Sequence, residues 1–258
     1  MRAVSVHPDV LVLTSLIWRT NAVALRSEDG SESMLIDSPY LPDELQLLPT
    51  VLEQAGFKVD ALLATHADFD HLLGRQCFPE LALGVGEETM LRLKAEPGAA
   101  QRELRDFDAE LYVERPRPLA LGSVQALPVP GKLDLGQDEL ELHPAEGHTA
   151  DGTAIFARRV GVLVVGDYLS DVEIPMISPG GSRSAYRATL ERLAPLVGEA
   201  ETVVPGHGSA LTGGEAQEIL GQDLAYLDAL DRGEMALPPG RDSARQRQIH
   251  AENLEAAD

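Results

Sequence analysis

Four side chains able to hold a metal ion fall within one six-residue stretch of the run Thr65-His66-Ala67-Asp68-Phe69-Asp70-His71. The preceding residues 59–64 read as a short buried strand, which places the run at a strand end. In locally extended backbone the side chains alternate, so His66, Asp68 and Asp70 point one way and His71 opens the next element. Imidazole nitrogens and carboxylate oxygens that converge like this are donors for zinc, iron and manganese. Taken alone, the same run also reads as a polar turn capping a helix, where aspartate is common. Three later features favour the metal reading: Gly147-His148-Thr149, Gly166-Asp167 and Pro205-Gly206-His207-Gly208. Each sets one His or Asp beside glycine at the C-terminal end of a strand, where sites in layered α/β proteins gather and where glycine lets backbone approach closely.

In this order, residues 65–71, His148, Asp167 and His207 resemble the motif series of the metallo-β-lactamase-fold hydrolase superfamily. The resemblance spans residues 21–230. Asp37 at a strand end matches the family's first motif, with Ser38-Pro39 in place of the usual small residue and glycine. The resemblance implies an α/β fold, a four-layer αβ/βα sandwich with a dinuclear metal site at one edge. Carried over residue by residue, His66, Asp68 and His148 hold the first metal. Asp70, His71 and His207 hold the second, Asp167 bridges the two, and Asp37 orients a ligand from behind. The departure is Asp68: most members read His-x-His-x-Asp-His, and this chain reads His-x-Asp-x-Asp-His. A hard anionic oxygen thus replaces an imidazole nitrogen, which bears on metal identity. A related pattern with glutamate occurs in the di-iron flavodiiron branch.

The expected cofactors are two divalent metal ions, zinc first, with iron or manganese as alternatives. Such a pair lowers the pKa of a bridging water and directs hydroxide at a carbonyl or phosphoryl centre. Asp70 is the catalytic candidate, with one oxygen on the metal and one free to take or relay a proton. The expected activity is cleavage of a small ester, thioester or lactone by a metal-bound hydroxide. Two alternatives stand beside it: an iron-dependent redox protein on the same fold, di-iron or mononuclear, and a binding protein that has lost turnover. The full ligand set argues against the second of these. The lack of a flavodoxin-like or cysteine-rich segment argues against a flavodiiron protein. Ser170 stands where acyl-homoserine lactonases carry tyrosine, and no basic cluster suited to glutathione is evident, because Arg241, Arg245 and Arg247 fall in a charged tail.

The elements that must position these residues are legible in part. Residues 22–26 and 33–37 read as a hairpin around Glu28-Asp29-Gly30-Ser31. Residues 41–55 carry a helical apolar stripe that Pro49 should kink or delay. Residues 11–18, 82–85, 139–142, 153–157, 162–165 and 202–204 read as strands, and 87–94, 184–193 and 214–230 as helices. Residues 95–123 have no firm reading. The loop 168–183 reads as a rim of the cleft, with Met176 and Ile177 as an apolar wall. Tyr168 either reaches substrate or covers a strand end. Arg183 and Arg187 either meet an anion or start a solvated helix. His7, His143 and His250 match no motif and read as packing or surface.

Composition sets the outer bounds. The chain has 258 residues, of which 44% are hydrophobic, enough for a full core. Its net charge of −21 repels phosphate backbones, so nucleic acid is not the expected partner; a small molecule is. The one cysteine, Cys77, cannot form an intrachain disulfide and reads as a structural thiol, in keeping with a cytoplasmic location. Residues 1–16 lack the pattern of a secretory leader, and no apolar run approaches the roughly 18 residues that span a bilayer, so no membrane partner is expected. Residues 1–232 are expected to form the hydrolase domain, and 233–258 a loose or partner-docked charged extension.

Overall fold

The computed structural model describes residues 1–234 and 237–256; residues 235, 236, 257 and 258 of the C-terminal extension lie outside the described residues. Strands β1 (Arg2–His7), β2 (Val10–Thr14), β3 (Asn21–Arg26), β4 (Ser33–Asp37), β5 (Ala61–Leu63), β6 (Leu83–Gly86) and β7 (Val124–Leu127) form one sheet in sequence order. Its first four strands pair antiparallel, and β4 to β7 pair parallel. The second sheet runs β13 (Leu211–Thr212), β12 (Thr202–Val204), β11 (Val162–Val164), β10 (Thr153–Ala157), β9 (Asp138–Pro144), β8 (Gly131–Leu135).

Several central strands are apolar on both faces because both are covered. In β3, Val23 and Leu25 face the opposite sheet while Ala22 and Ala24 face outward. In β10, Ile155 and Ala157 face the first sheet, and Ala154 and Phe156 face away. This period of two divides the interior into one layer between the sheets and one on each outer face. Helices α1 (Pro42–Gln54), α2 (Gly74–Cys77), α3 (Glu87–Ala95) and α4 (Ala99–Glu110) belong to the first sheet's side. Helices α5 (Arg183–Glu199), α6 (Gly213–Asp231) and α7 (Ala244–Glu255) cover the second. The result is the four-layer αβ/βα sandwich.

The hairpin forms as expected, with Ala22 opposite Asp37. Helix α1 runs through Pro49, held by buried Leu45, Leu48 and Leu52. The packing of that face outweighs the hydrogen bond a proline omits. Residues 95–123 hold α4, whose buried Asp108 accepts from Tyr40 Oη at 2.8 Å and from Arg115 Nε at 2.7 Å. Strands β7 and β8 are half exposed, so their patterning is weak. The C-terminal extension is not loose where it is described: Arg241, Gln246, Ile249, His250 and Asn253 are buried against the body. Among the described residues, no helix is long and apolar enough to cross a membrane.

Candidate metal centre

Strand ends bring the motif residues to one edge of the sandwich. Parallel pairing of β4 with β5 sets Asp37 beside Thr65, whose backbone N–H and Oγ1 donate to the Asp37 carboxylate at 2.8 and 2.9 Å. Asp37 has a positive φ of 57°, a conformation that costs a non-glycine residue strain. Its carboxylate lies 2.9 Å from His71 Nδ1. The Thr65 hydroxyl donates its one proton to Asp37, so it accepts from His66 Nδ1 at 3.0 Å. The Met176 carbonyl accepts from His148 Nδ1 at 2.8 Å, and the Trp18 carbonyl from His207 Nδ1 at 3.1 Å. All four imidazoles are therefore held from behind through Nδ1, which presents Nε2 to a common centre.

Two donor groups result, His66, His148 and Asp167 in one and Asp70, His71 and His207 in the other, each with its ligand atoms within 4.8 Å of one another. Asp167 faces both. Its Oδ2 lies 3.3 Å from His148 Nε2 and 3.7 Å from His66 Nε2, and its Oδ1 lies 3.1 Å from His71 Nε2 and 3.5 Å from His207 Nε2. Asp70 Oδ2 is 3.3 Å from His207 Nε2. Asp68 points neither to solvent nor to a backbone amide. Its Oδ2 approaches His148 Nε2 at 3.3 Å and His66 Nε2 at 3.6 Å, while its Oδ1 is held by Arg92 at 2.8 Å.

The donor set fits metal ions. His66 Nε2, His71 Nε2 and Asp167 Oδ1 are buried without a hydrogen-bond partner, a costly arrangement unless a cation takes the lone pairs. A Cβ at Gly206 would collide with Asp167 Oδ1 and the His71 ring, so only glycine leaves that space open. Imidazole and carboxylate together suit zinc, iron or manganese better than magnesium or calcium.

Electrostatics point the same way. Burial opposes protonation of His148, but its hydrogen bond to Asp68 and the charge of Asp167 push it up to about 9. Burial likewise opposes protonation of His207, and the charges of Glu173 and Asp167 push it up to about 10. A metal ion must displace those protons. Loading the metal-free protein with zinc at pH 7 is therefore expected to release protons, and affinity should rise about tenfold per pH unit for each proton displaced, up to pH 9. Calorimetry in two buffers of different ionisation enthalpy checks this; a heat independent of buffer would contradict it.

A family model described as the metallo-beta-lactamase superfamily matches residues 17–207, most of the chain. The chain belongs to the metallo-beta-lactamase superfamily. Its fold is similar to that of a metallo-beta-lactamase family protein from Thermus thermophilus, with a TM-score of 0.71 and 20% identity over 97% of this chain and 92% of that one. A metallo-beta-lactamase from Pontibacter korlensis aligns with a TM-score of 0.64 and 18% identity, over 88% of this chain and 98% of that one. The protein TTHA1623, in a di-iron-bound form, aligns with a TM-score of 0.62 and 23% identity, over 79% of this chain and 95% of that one. No curated protein matches the chain. Members of this superfamily are mostly metal-dependent hydrolytic enzymes, on a fold that binds divalent metals.

Some site residues had no signal in the sequence. Arg92 of α3 joins Asp68 Oδ1 to Asp151 Oδ1, at 2.8 Å from each, and Asp151 Oδ2 accepts from Ala67 N–H at 2.9 Å. Arg92 sits on a charged helix and resembles any solvated arginine there. Glu173 lines a cavity with His148, Asp167, Met176 and His207, and burial lifts its carboxyl above the ordinary range. Tyr168 covers a strand end: its hydroxyl accepts from His148 N–H at 3.0 Å and donates to the Glu146 carbonyl at 2.8 Å. Arg187 is tied to Asp228 and Asp231 of α6. Burial pushes the Cys77 thiol up to about 12, in keeping with a structural role.

Proposed function

We propose that the protein is a dinuclear metal-dependent hydrolase acting on a small ester, thioester or lactone. The reading rests on one observation above the others: four imidazoles fixed through Nδ1 turn Nε2 towards the two oxygens of Asp167. In this reading His66, Asp68 and His148 would hold the first ion, Asp70, His71 and His207 would hold the second, and Asp167 would serve both. When bound, the pair supplies Lewis acidity and an acidified water. The protein's own groups do the rest. Asp37 and Thr65 keep His71 and His66 in one tautomer. Asp70 offers its second oxygen to receive a proton and pass it to the leaving group. Glu173 and Met176 line the approach beside His148 and His207.

Zinc is the first candidate, with iron or manganese as alternatives. The carboxylate at Asp68 favours a second reading, an iron-dependent redox protein on the same fold. Metal content after purification without added metal, followed by a panel of esters, thioesters and lactones, separates them. About two ions per chain with hydrolytic turnover is the expected result. Iron with oxygen or peroxide turnover and no hydrolysis would establish the redox reading. Filled sites with neither activity would mark a binding protein.

A further inference from the structure

The C-terminal segment is pinned to the loop that orients His148, one of the metal-facing histidines. Residues 168–182 have no helix or strand, so their backbone groups need other partners. Five of those groups, between residues 170 and 177, end on three side chains from the far end of the chain. Arg241 Nη1 donates to the carbonyls of Ser170 at 3.3 Å and Glu173 at 2.9 Å. It is only 2% exposed, and the buried carboxylate of Asp223, 2.5 Å away, balances its charge. Ile174 N–H donates to Gln246 Oε1 at 2.8 Å. Asn253, fully buried, takes the Ile177 N–H on Oδ1 at 2.9 Å and donates Nδ2 to the Pro175 carbonyl at 2.6 Å. Its amide is itself held by Tyr226 Oη at 3.0 Å.

Asn253 thus brackets Met176, gripping the residue on either side of it. The carbonyl between those two grips is the one that accepts His148 Nδ1 at 2.8 Å. His148 Nε2 in turn faces Asp68 and Asp167. Helix α7 is mostly polar; what it contributes here is side-chain amides placed at fixed loop peptides.

We propose that the C-terminal segment is a latch for the first metal position, with Asn253 and Gln246 as positioning residues that fix His148 through the Met176 carbonyl. This rests on the two-metal reading above. With the grip removed, the loop peptide turns freely, His148 loses its fixed tautomer, and the first ion is lost before the second. Outer partners of ligating histidines typically carry a 10–100-fold share of metal affinity.

The test is titration of metal-free full-length chain with Co2+, followed by ligand-field absorption. His148→Ala and His207→Ala serve as spectral references for loss of each position. Asn253→Ala is expected to weaken the first position about 10–100-fold and leave the second unchanged. Circular dichroism should stay that of the wild type. Gln246→Ala gives the same signature more weakly and serves where Asn253→Ala does not fold. Gln248→Ala, whose exposed side chain donates to Glu252 of the same helix, should bind as the wild type. Two ions bound with wild-type affinity in both Asn253→Ala and Gln246→Ala, or equal weakening of both positions, would overturn the latch. A wild-type chain that binds no Co2+ or Zn2+ would instead overturn the metal reading.

Discussion

Alanine at His148 or His207 is expected to reduce turnover by well over a hundredfold and leave the fold intact. Each imidazole supplies one inward Nε2, and even the outer partners of such ligands carry about 10–100-fold effects. The rings stand at strand ends, outside the three apolar layers, so removing them takes little packing from the core. His148→Ala also frees the Met176 carbonyl, and His207→Ala frees that of Trp18. Activity on the ester, thioester and lactone panel, measured beside circular dichroism and metal content, checks this. Wild-type turnover in either variant would remove that residue from the site.

Asp68→His is expected to raise the preference for zinc and to shift the acidic limb of the pH–rate profile downward. A carboxylate donates more charge to a cation than an imidazole does, which leaves a bound water less acidic. Arg92 tempers that charge through its 2.8 Å contact with Asp68 Oδ1. In the variant the guanidinium stays beside the first position, still held by Asp151, and its positive charge opposes a cation there. The single variant should therefore bind its first ion more weakly than Asp68→His combined with Arg92→Gln. Metal content under equimolar zinc, iron and manganese, together with pH profiles of both variants, measures the effect. If occupancy, metal preference and the acidic limb all stay at wild-type values, Asp68 is not a ligand. The site would then be built on Asp70, His71, Asp167 and His207.

The donor residues were legible because donor chemistry is local. A strand end concentrates His66, Asp68, Asp70 and His71 within six residues, and glycine marks the approach at Gly147, Gly166 and Gly206. The central strands were legible because faces covered on both sides demand continuous apolar runs, as in residues 162–165. Edge strands β7 and β8 carry no such demand, so their half-exposed residues gave little pattern. Helix α1 passed through Pro49 because tertiary burial of Leu45, Leu48 and Leu52 overrides a local penalty.

The types of donor, their order along the chain, the substitution of aspartate at position 68 and the family follow from the amino-acid sequence alone. Who holds those donors was decided only in three dimensions. Arg92 reaches Asp68 from a neighbouring helix and joins it to Asp151, which lies 59 residues beyond Arg92 in the chain. Asn253 reaches back 76 residues to grip the peptide N–H of Ile177. Charge neutralisation and hydrogen bonding act through space over about 3 Å and leave no periodicity in the sequence, so a half-buried arginine or a buried asparagine reads like a solvated one until the chain folds around it.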